Sequence, residues 1–183
     1  MKKYLIIILS LILSVISFCN EKIRVLEENQ TEVREFIIYE KGIKQPLTGK
    51  VISRYGNGKL KSEESYQNGE IKGLCKVYYE NGKLAGEGYF ENKQLSGLYK
   101  GYYRDGKLER EGNYKDGKLE GVWKFYYESG QLQEESNWKE NKREGLAKVY
   151  YENGNIRSEG EFKDGKLDGI LKAYYENGEQ IEK

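Results

Sequence analysis

An uninterrupted repeat of 24 residues leaves this chain little choice of fold: the stretch from Gly121 to Leu132, GVWKFYYESGQL, has close copies beginning at Gly49, Gly73, Gly97, Gly145 and Gly169. The unit at Gly73 reads GLCKVYYENGKLAGEGYFENKQLS and the next begins at once, with no insertion or deletion through the last, truncated copy. Such an array stacks one supersecondary unit on its neighbours. Composition names the unit: 17 Tyr and 22 Gly with a single Pro fit strands and tight turns, since aromatic residues favour strands and glycine supplies positive φ.

Two turn signals fall in each unit, counting positions from its opening glycine. Positions nine and ten read Asn57-Gly58, Asn81-Gly82, Asp105-Gly106, Ser129-Gly130, Asn153-Gly154 and Asn177-Gly178, the signature of a two-residue type I′ hairpin. About eleven residues later come Asn68-Gly69, Asn92-Lys93, Asp116-Gly117, Glu140-Asn141 and Asp164-Gly165; two of these lack glycine, so looser turns are expected there. The chain is thus read as all-β, an antiparallel meander of 24-residue β-hairpin units forming an elongated, twisted or curved sheet.

A two-residue first turn sets position seven opposite twelve, joining Tyr79 to Leu84, and position four opposite fifteen. The latter pairs Lys76 with Glu87, Lys100 with Glu111, Lys124 with Glu135 and Lys148 with Glu159. Opposite charges falling together in successive units support this register. Trp123, Phe125, Tyr127, Leu132, Ser136 and Trp138 then share the core face, and Val122, Lys124, Tyr126 and Glu135 the other. Small residues at position sixteen (Gly88, Gly112, Ser136, Gly160) are expected opposite the glycine that opens the next unit, where they would let the sheet bend.

Ahead of the array, Lys2 and Lys3 precede a run without charge from Tyr4 to Phe18 and then polar residues, the layout of a secretory signal peptide. Residues 1–18 are assigned to it, 19–35 to a polar tether and 36–183 to the repeat domain. Cys19 stands where a lipoprotein acceptor cysteine would, although Phe18 departs from the small residue expected before it. Lipidation at Cys19, which would tether the chain to a membrane, and conventional cleavage therefore both stay open. The expected location is exported: periplasm, outer envelope or secreted.

The chain has 31 basic and 30 acidic residues and no basic block, which argues against nucleic acid as partner. It has no histidine, no phosphate-cradling loop and no nucleophile elbow, so neither catalysis nor a metal or other cofactor is expected. Cys75 occupies a column held elsewhere by Val51, Tyr99, Trp123, Ala147 and Leu171 and reads as a small core residue. Glu63, opposite Ile52, and Glu64 beside it break the Lys–Glu ladder in the divergent first unit. They are the one place a carboxylate pair for an envelope glycan hydrolase could be sought.

The best candidate surface is the position-six row, Tyr78, Tyr102, Tyr126, Tyr150 and Tyr174, flanked by Lys100, Lys124 and Lys148. Spaced by two strand widths, roughly 9 to 10 Å, these would form an aromatic and cationic stripe able to dock an extended peptide, a glycan or the sheet edge of a partner protein, since tyrosine suits interfaces with one wet end. The blander alternative is that the rings only cover a thin sheet. The last strand, Ala173 to Tyr175, offers an edge for end-to-end association, with the charged tail 179–183 limiting it; whether the chain forms homo-oligomers stays open.

Tyr-Tyr-Glu-Asn-Gly-Lys-Leu, then Glu-Gly-x-aromatic, then Lys-Asp-Gly-Lys-Leu-x-Gly resembles the MORN repeat, more closely its bacterial variant found in the YwqK-type antitoxin family. The resemblance covers about residues 36 to 183. It implies an interaction, tethering or membrane-associated scaffold, and in the antitoxin family a protein partner that is a toxin. An export signal departs from what a cytoplasmic antitoxin would carry.

Overall fold

The structure is a computed structural model that describes residues 23–182. Residues 1–18 and Cys19 lie outside this range. The strands in chain order are β1 Val25–Glu27, β2 Thr31–Arg34, β3 Ile37–Glu40, β4 Gly49–Arg54, β5 Leu60–Gln67, β6 Glu70–Ile71, β7 Gly73–Tyr78 and β8 Leu84–Glu91. They continue as β9 Gln94–Tyr102, β10 Leu108–Lys115, β11 Lys118–Tyr126, β12 Leu132–Lys139, β13 Lys142–Tyr150, β14 Ile156–Lys163, β15 Lys166–Leu167 and β16 Lys172–Ala173. From β4 onward each strand pairs antiparallel with the next along an open path, β6 and β15 being short extensions. The expected all-β meander is the fold.

The two turn types are exchanged relative to the sequence reading. After Tyr79 the chain makes a three-residue loop in which Gly82 N donates to Tyr79 O at 2.8 Å and Tyr79 N to Lys83 O at 2.8 Å, and the same pair recurs at Tyr55, Tyr103, Tyr127, Tyr151 and Tyr175. Gly82 has φ +89°, whereas Asn81 has no positive φ, so this is a type I turn closed by a left-handed glycine. Asn81 is chosen for its side chain. Its Oδ1 accepts from Lys83 N at 2.9 Å and its Nδ2 donates to Arg104 O of the next unit at 2.8 Å.

The type I′ turns are the second set, with positive φ at both central residues even at Asn92-Lys93 (49° and 64°) and Glu140-Asn141 (50° and 68°). At Glu140-Asn141 a bond from outside holds the turn, Asn141 N donating to Leu119 O of the preceding unit at 3.2 Å, as Gly117 N does to Leu95 O at 2.9 Å, while Lys93 pairs through its side chain with Glu70 of the preceding unit at 2.8 Å. Tertiary bonding thereby fixes a backbone that the residue types alone do not favour.

The Lys–Glu pairs fall opposite one another as expected, from Lys76–Glu87 to Lys148–Glu159. The route differs. The three-residue loop moves the pairing by one, so that Tyr78 rather than Tyr79 faces Leu84, and a bulge before it moves the pairing back. Two offsets cancel, and the charge match survives.

Position sixteen does not face the next opening glycine. Gly88 lies opposite Tyr99, and Ser136 opposite Ala147, because the opening glycine sits at positive φ in a bulge (Gly97 φ 85°, Gly121 φ 72°, Gly145 φ 84°) that slides the pairing by two. The position-three side chain of each unit therefore lies over the position-sixteen residue of the unit before it. A Cβ at Gly88 would come within 2.8 Å of Leu95 and 3.1 Å of Tyr99, and one at Gly112 would fall inside the Trp123 indole. Trp123 and Ser136 are each 1% exposed. Trp123 stacks on Tyr99 (centroids 6.2 Å), meets Tyr114 edge-on (5.1 Å) and donates from Nε1 to Asn113 O at 3.0 Å.

The stretch 19–35, expected as a polar tether, takes up structure from Val25 onward. β1 runs parallel to β4 with Leu26 against Val51, and β2 and β3 form a hairpin. Leu26, Ile38, Leu47 and Val51 make a small cluster with Tyr66 packed on it. Only Leu26 of β1 is buried, too little periodicity for sequence to reveal. At the other end the tail folds back: Ile181 N donates to Ala173 O at 2.8 Å and Tyr174 bridges Gln180, so the edge at 173–175 is partly paired.

Candidate interaction surface

Strand alternation places positions four and six on the face opposite the Trp123 row, where they build a zigzag of charge and phenol. Lys76–Glu87, Lys100–Glu111, Lys124–Glu135 and Lys148–Glu159 stand 3.5, 3.6, 3.4 and 3.9 Å apart. All are partly exposed, so each pair contributes only about 0 to 1 kcal/mol. Three of these glutamates, and Glu63 of the first unit, also receive from the next unit: Tyr78 donates to Glu63 at 2.6 Å, and Tyr102, Tyr126 and Tyr174 donate to Glu87, Glu111 and Glu159 at 3.0 Å. Tyr150 feels the Glu135 charge, and among the described residues it makes no such bond. Tyr78, Tyr102, Tyr126, Tyr150 and Tyr174 with Lys100, Lys124 and Lys148 thus lie in adjacent columns of one face. Glu63 joins this ladder after all, 3.7 Å from Lys50 although its cross-strand partner is Ile52.

The position-seven tyrosines do something else. Tyr55, Tyr79, Tyr103, Tyr127 and Tyr151 donate to the carbonyls of Tyr78, Tyr102, Tyr126, Tyr150 and Tyr174, at 2.5 to 2.9 Å. They tie unit to unit along the turn edge.

A row that sequence reasoning passed over completes the surface. Position two carries Leu74, Leu98, Val122, Leu146 and Ile170, all exposed, at 43, 52, 46, 39 and 79%. The signal was available, since the same column holds an aliphatic residue in five successive units, but one Val122 read alone is an ordinary surface residue. The face therefore offers three parallel rows: aliphatic, ionic and phenolic.

Burial, followed by the bond to the neighbouring glutamate, pushes the phenols of Tyr78, Tyr102 and Tyr126 up to about 12 from 10.0. A pKa raised on folding gives stability that is fully present below the unfolded value of about 10 and is lost as pH rises through the folded value. Titration of tyrosinate absorbance should resolve a late group near pH 12, with Glu111→Gln moving Tyr126 back toward 10. Titration of every phenol together near pH 10 would refute these bonds.

Burial also pushes up the Cys75 thiol, which is buried and free. Among the described residues no group of three or more His, Cys, Asp and Glu is placed to hold a metal ion.

A single sheet of hairpins knitted by side-chain bonds that recur once per unit defines the class: a tandem β-hairpin repeat protein. The MORN repeat variant family matches at residues 47–68, 71–92, 95–116, 119–140 and 143–164, more than half of the chain. The chain belongs to that family. No curated protein matches it.

Proposed function

We propose that this chain is a non-catalytic interaction module that docks a partner protein along the face bearing Tyr78, Tyr102, Tyr126, Tyr150 and Tyr174 and Lys100, Lys124 and Lys148. The observation that carries the reading is the alignment of the three rows. Exposed aliphatics, paired charges and half-buried phenols recur at one spacing on the face opposite the Trp123 row. Phenol rings with an aliphatic flank supply the amphipathic area that protein interfaces favour. The charges, already paired within the chain, contribute specificity more than affinity.

Crosslinked capture from cells, with the wild type beside Tyr102→Ala/Tyr126→Ala/Tyr150→Ala and with circular dichroism confirming that the variant folds, tests this. A partner held by the first and lost from the second is expected; equal capture by both would sink the reading. The finer placement at the cell envelope rests on Lys2, Lys3 and the charge-free run from Tyr4 to Phe18. The more specific alternative, an immunity protein neutralising an exported toxin, rests on the family resemblance alone. Identification of the captured partner separates the two.

A further inference from the structure

Unit one departs from the others on the face that carries Trp123. Position sixteen, where later units hold Gly88, Gly112, Ser136 and Gly160, holds Glu64, and the small Cys75 in the next unit leaves room for it. Glu64 lines a cavity of about 520 Å³ between the first two units and the β2–β3 hairpin. Its Oε1 accepts from Ser62 at 3.3 Å and its Oε2 from Tyr66 at 2.6 Å, while Ser62 and Ser53 share a hydrogen bond of 2.8 Å. Ser53 and Ser62 are both buried. Val33, Ile38 and Val77 form apolar walls.

Among the described residues no cation pairs with Glu64, in contrast to the ladder glutamates across the sheet. Glu28 and Lys61 also line the cavity and carry opposite charges, so it keeps the one negative charge of Glu64. Burial and the adjacent carboxylate push the Tyr66 phenol well above the usual tyrosine value. Tyr66 therefore stays a donor, and with Ser62 it orients the carboxylate toward the cavity.

The chain shows elsewhere what such a set receives. In unit four Glu134 accepts from Ser136 at 2.7 Å, and Trp138 Nε1 donates to Ser136 Oγ at 2.9 Å. The same glutamate, serine and aromatic residue occupy positions fourteen to eighteen of that unit, with the glutamate and serine exchanged. There Arg143 completes the site, 2.6 Å from Glu134, with its guanidinium 5.5 Å from the ring centroids of both Trp138 and Phe162.

We propose that the Glu64 cavity is a guanidinium site, receiving from another molecule the group that Arg143 supplies to Glu134. The planar fork matches a carboxylate, and the apolar walls suit the weakly hydrated guanidinium and its alkyl stem. Ser53 adds a hydroxyl acceptor. The source is either a free small guanidine or an arginine side chain of a polypeptide. Glu64 itself stands on the Trp123 face, and the cavity meets the tyrosine stripe only at its first member, Tyr78.

The test is amide chemical-shift titration of the protein with N-acetyl-arginine amide, with a Gly-Arg-Gly peptide, and with the citrulline analogue of each. Saturable shifts centred on residues 62–66 with both arginine probes, weakened about tenfold by Glu64→Gln and absent with citrulline, are expected. Tighter binding of the peptide assigns the source to a polypeptide, and equal binding to a small molecule. The site is refuted by no saturable shift, by equal response to citrulline, or by shifts that Glu64→Gln leaves unchanged. Glutamine at this position has nearly the same shape and keeps one of the two acceptor oxygens that serve Ser62 and Tyr66, and the amide spectrum of the variant reports its fold directly.

Discussion

Trp123→Ala should lower the unfolding free energy by about 3 to 5 kcal/mol, the range for truncating a buried large aromatic. Trp123 is the largest side chain below 2% exposure among the described residues. It joins Tyr99 of the preceding unit, Tyr114 of the connecting strand and Phe125 of its own, and its indole N–H would leave Asn113 O without that donor. Because stability in a repeat array is close to a sum of unit and nearest-neighbour terms, the loss concentrates at the middle of the sheet. Urea unfolding should become broader or biphasic as the two halves uncouple. Hydrogen exchange should lose protection first in β9 to β12 and last in the flanking hairpins. A loss below about 1 kcal/mol would mean that the ladders of tyrosine and asparagine bonds, rather than this aromatic cluster, hold the units together.

Gly112→Ala should be nearly as damaging, although it adds a single methyl group. The new Cβ would fall inside the Trp123 indole, and a fully buried ring in an aromatic cluster has nowhere to move. Overpacking of this kind costs about 1 to 3 kcal/mol, occasionally more. The backbone is not the reason, since Gly112 has no positive φ. A double-mutant cycle isolates the cause: in the Trp123→Ala background, Gly112→Ala should cost close to nothing, giving a coupling energy of about the whole single-mutant effect. Equal costs in both backgrounds would place the penalty outside this contact. Ser136 opposite Ala147 shows the complementary solution, in which a side chain at position sixteen is accommodated because the next unit's position three is small.

The candidate surface was readable because it is columnar. Tyr78 to Tyr174 and the lysines share fixed positions in the unit, and a strand's period of two sends them to one face once the units are in register. The Lys–Glu matches fixed that register even though the assumed turn was wrong, because the loop and bulge offsets cancel. The Glu64 cavity could not be read this way. It needs the residues at 31–38 to fold over the first unit, and that stretch is polar, short-stranded and outside the repeat, with Ile38 its only buried residue.

Period and residue type thus determined the antiparallel meander, its strand count per unit, its charge pairing and its outward tyrosine row, all of which depend on contacts between adjacent strands that sequence spacing sets directly. Tertiary structure alone decided which turn is type I′, where the bulges fall, how Trp123 comes to rest on Gly112 and how the N-terminal strands close the first unit. In each of these a bond or a packed side chain from another unit outweighs local preference. The turn at Glu140-Asn141 is left-handed at both residues without a glycine while Asn141 N donates to Leu119 O of the preceding unit, and the sheet slides by two at Gly121 so that the indole of Trp123 can lie over a position with no side chain.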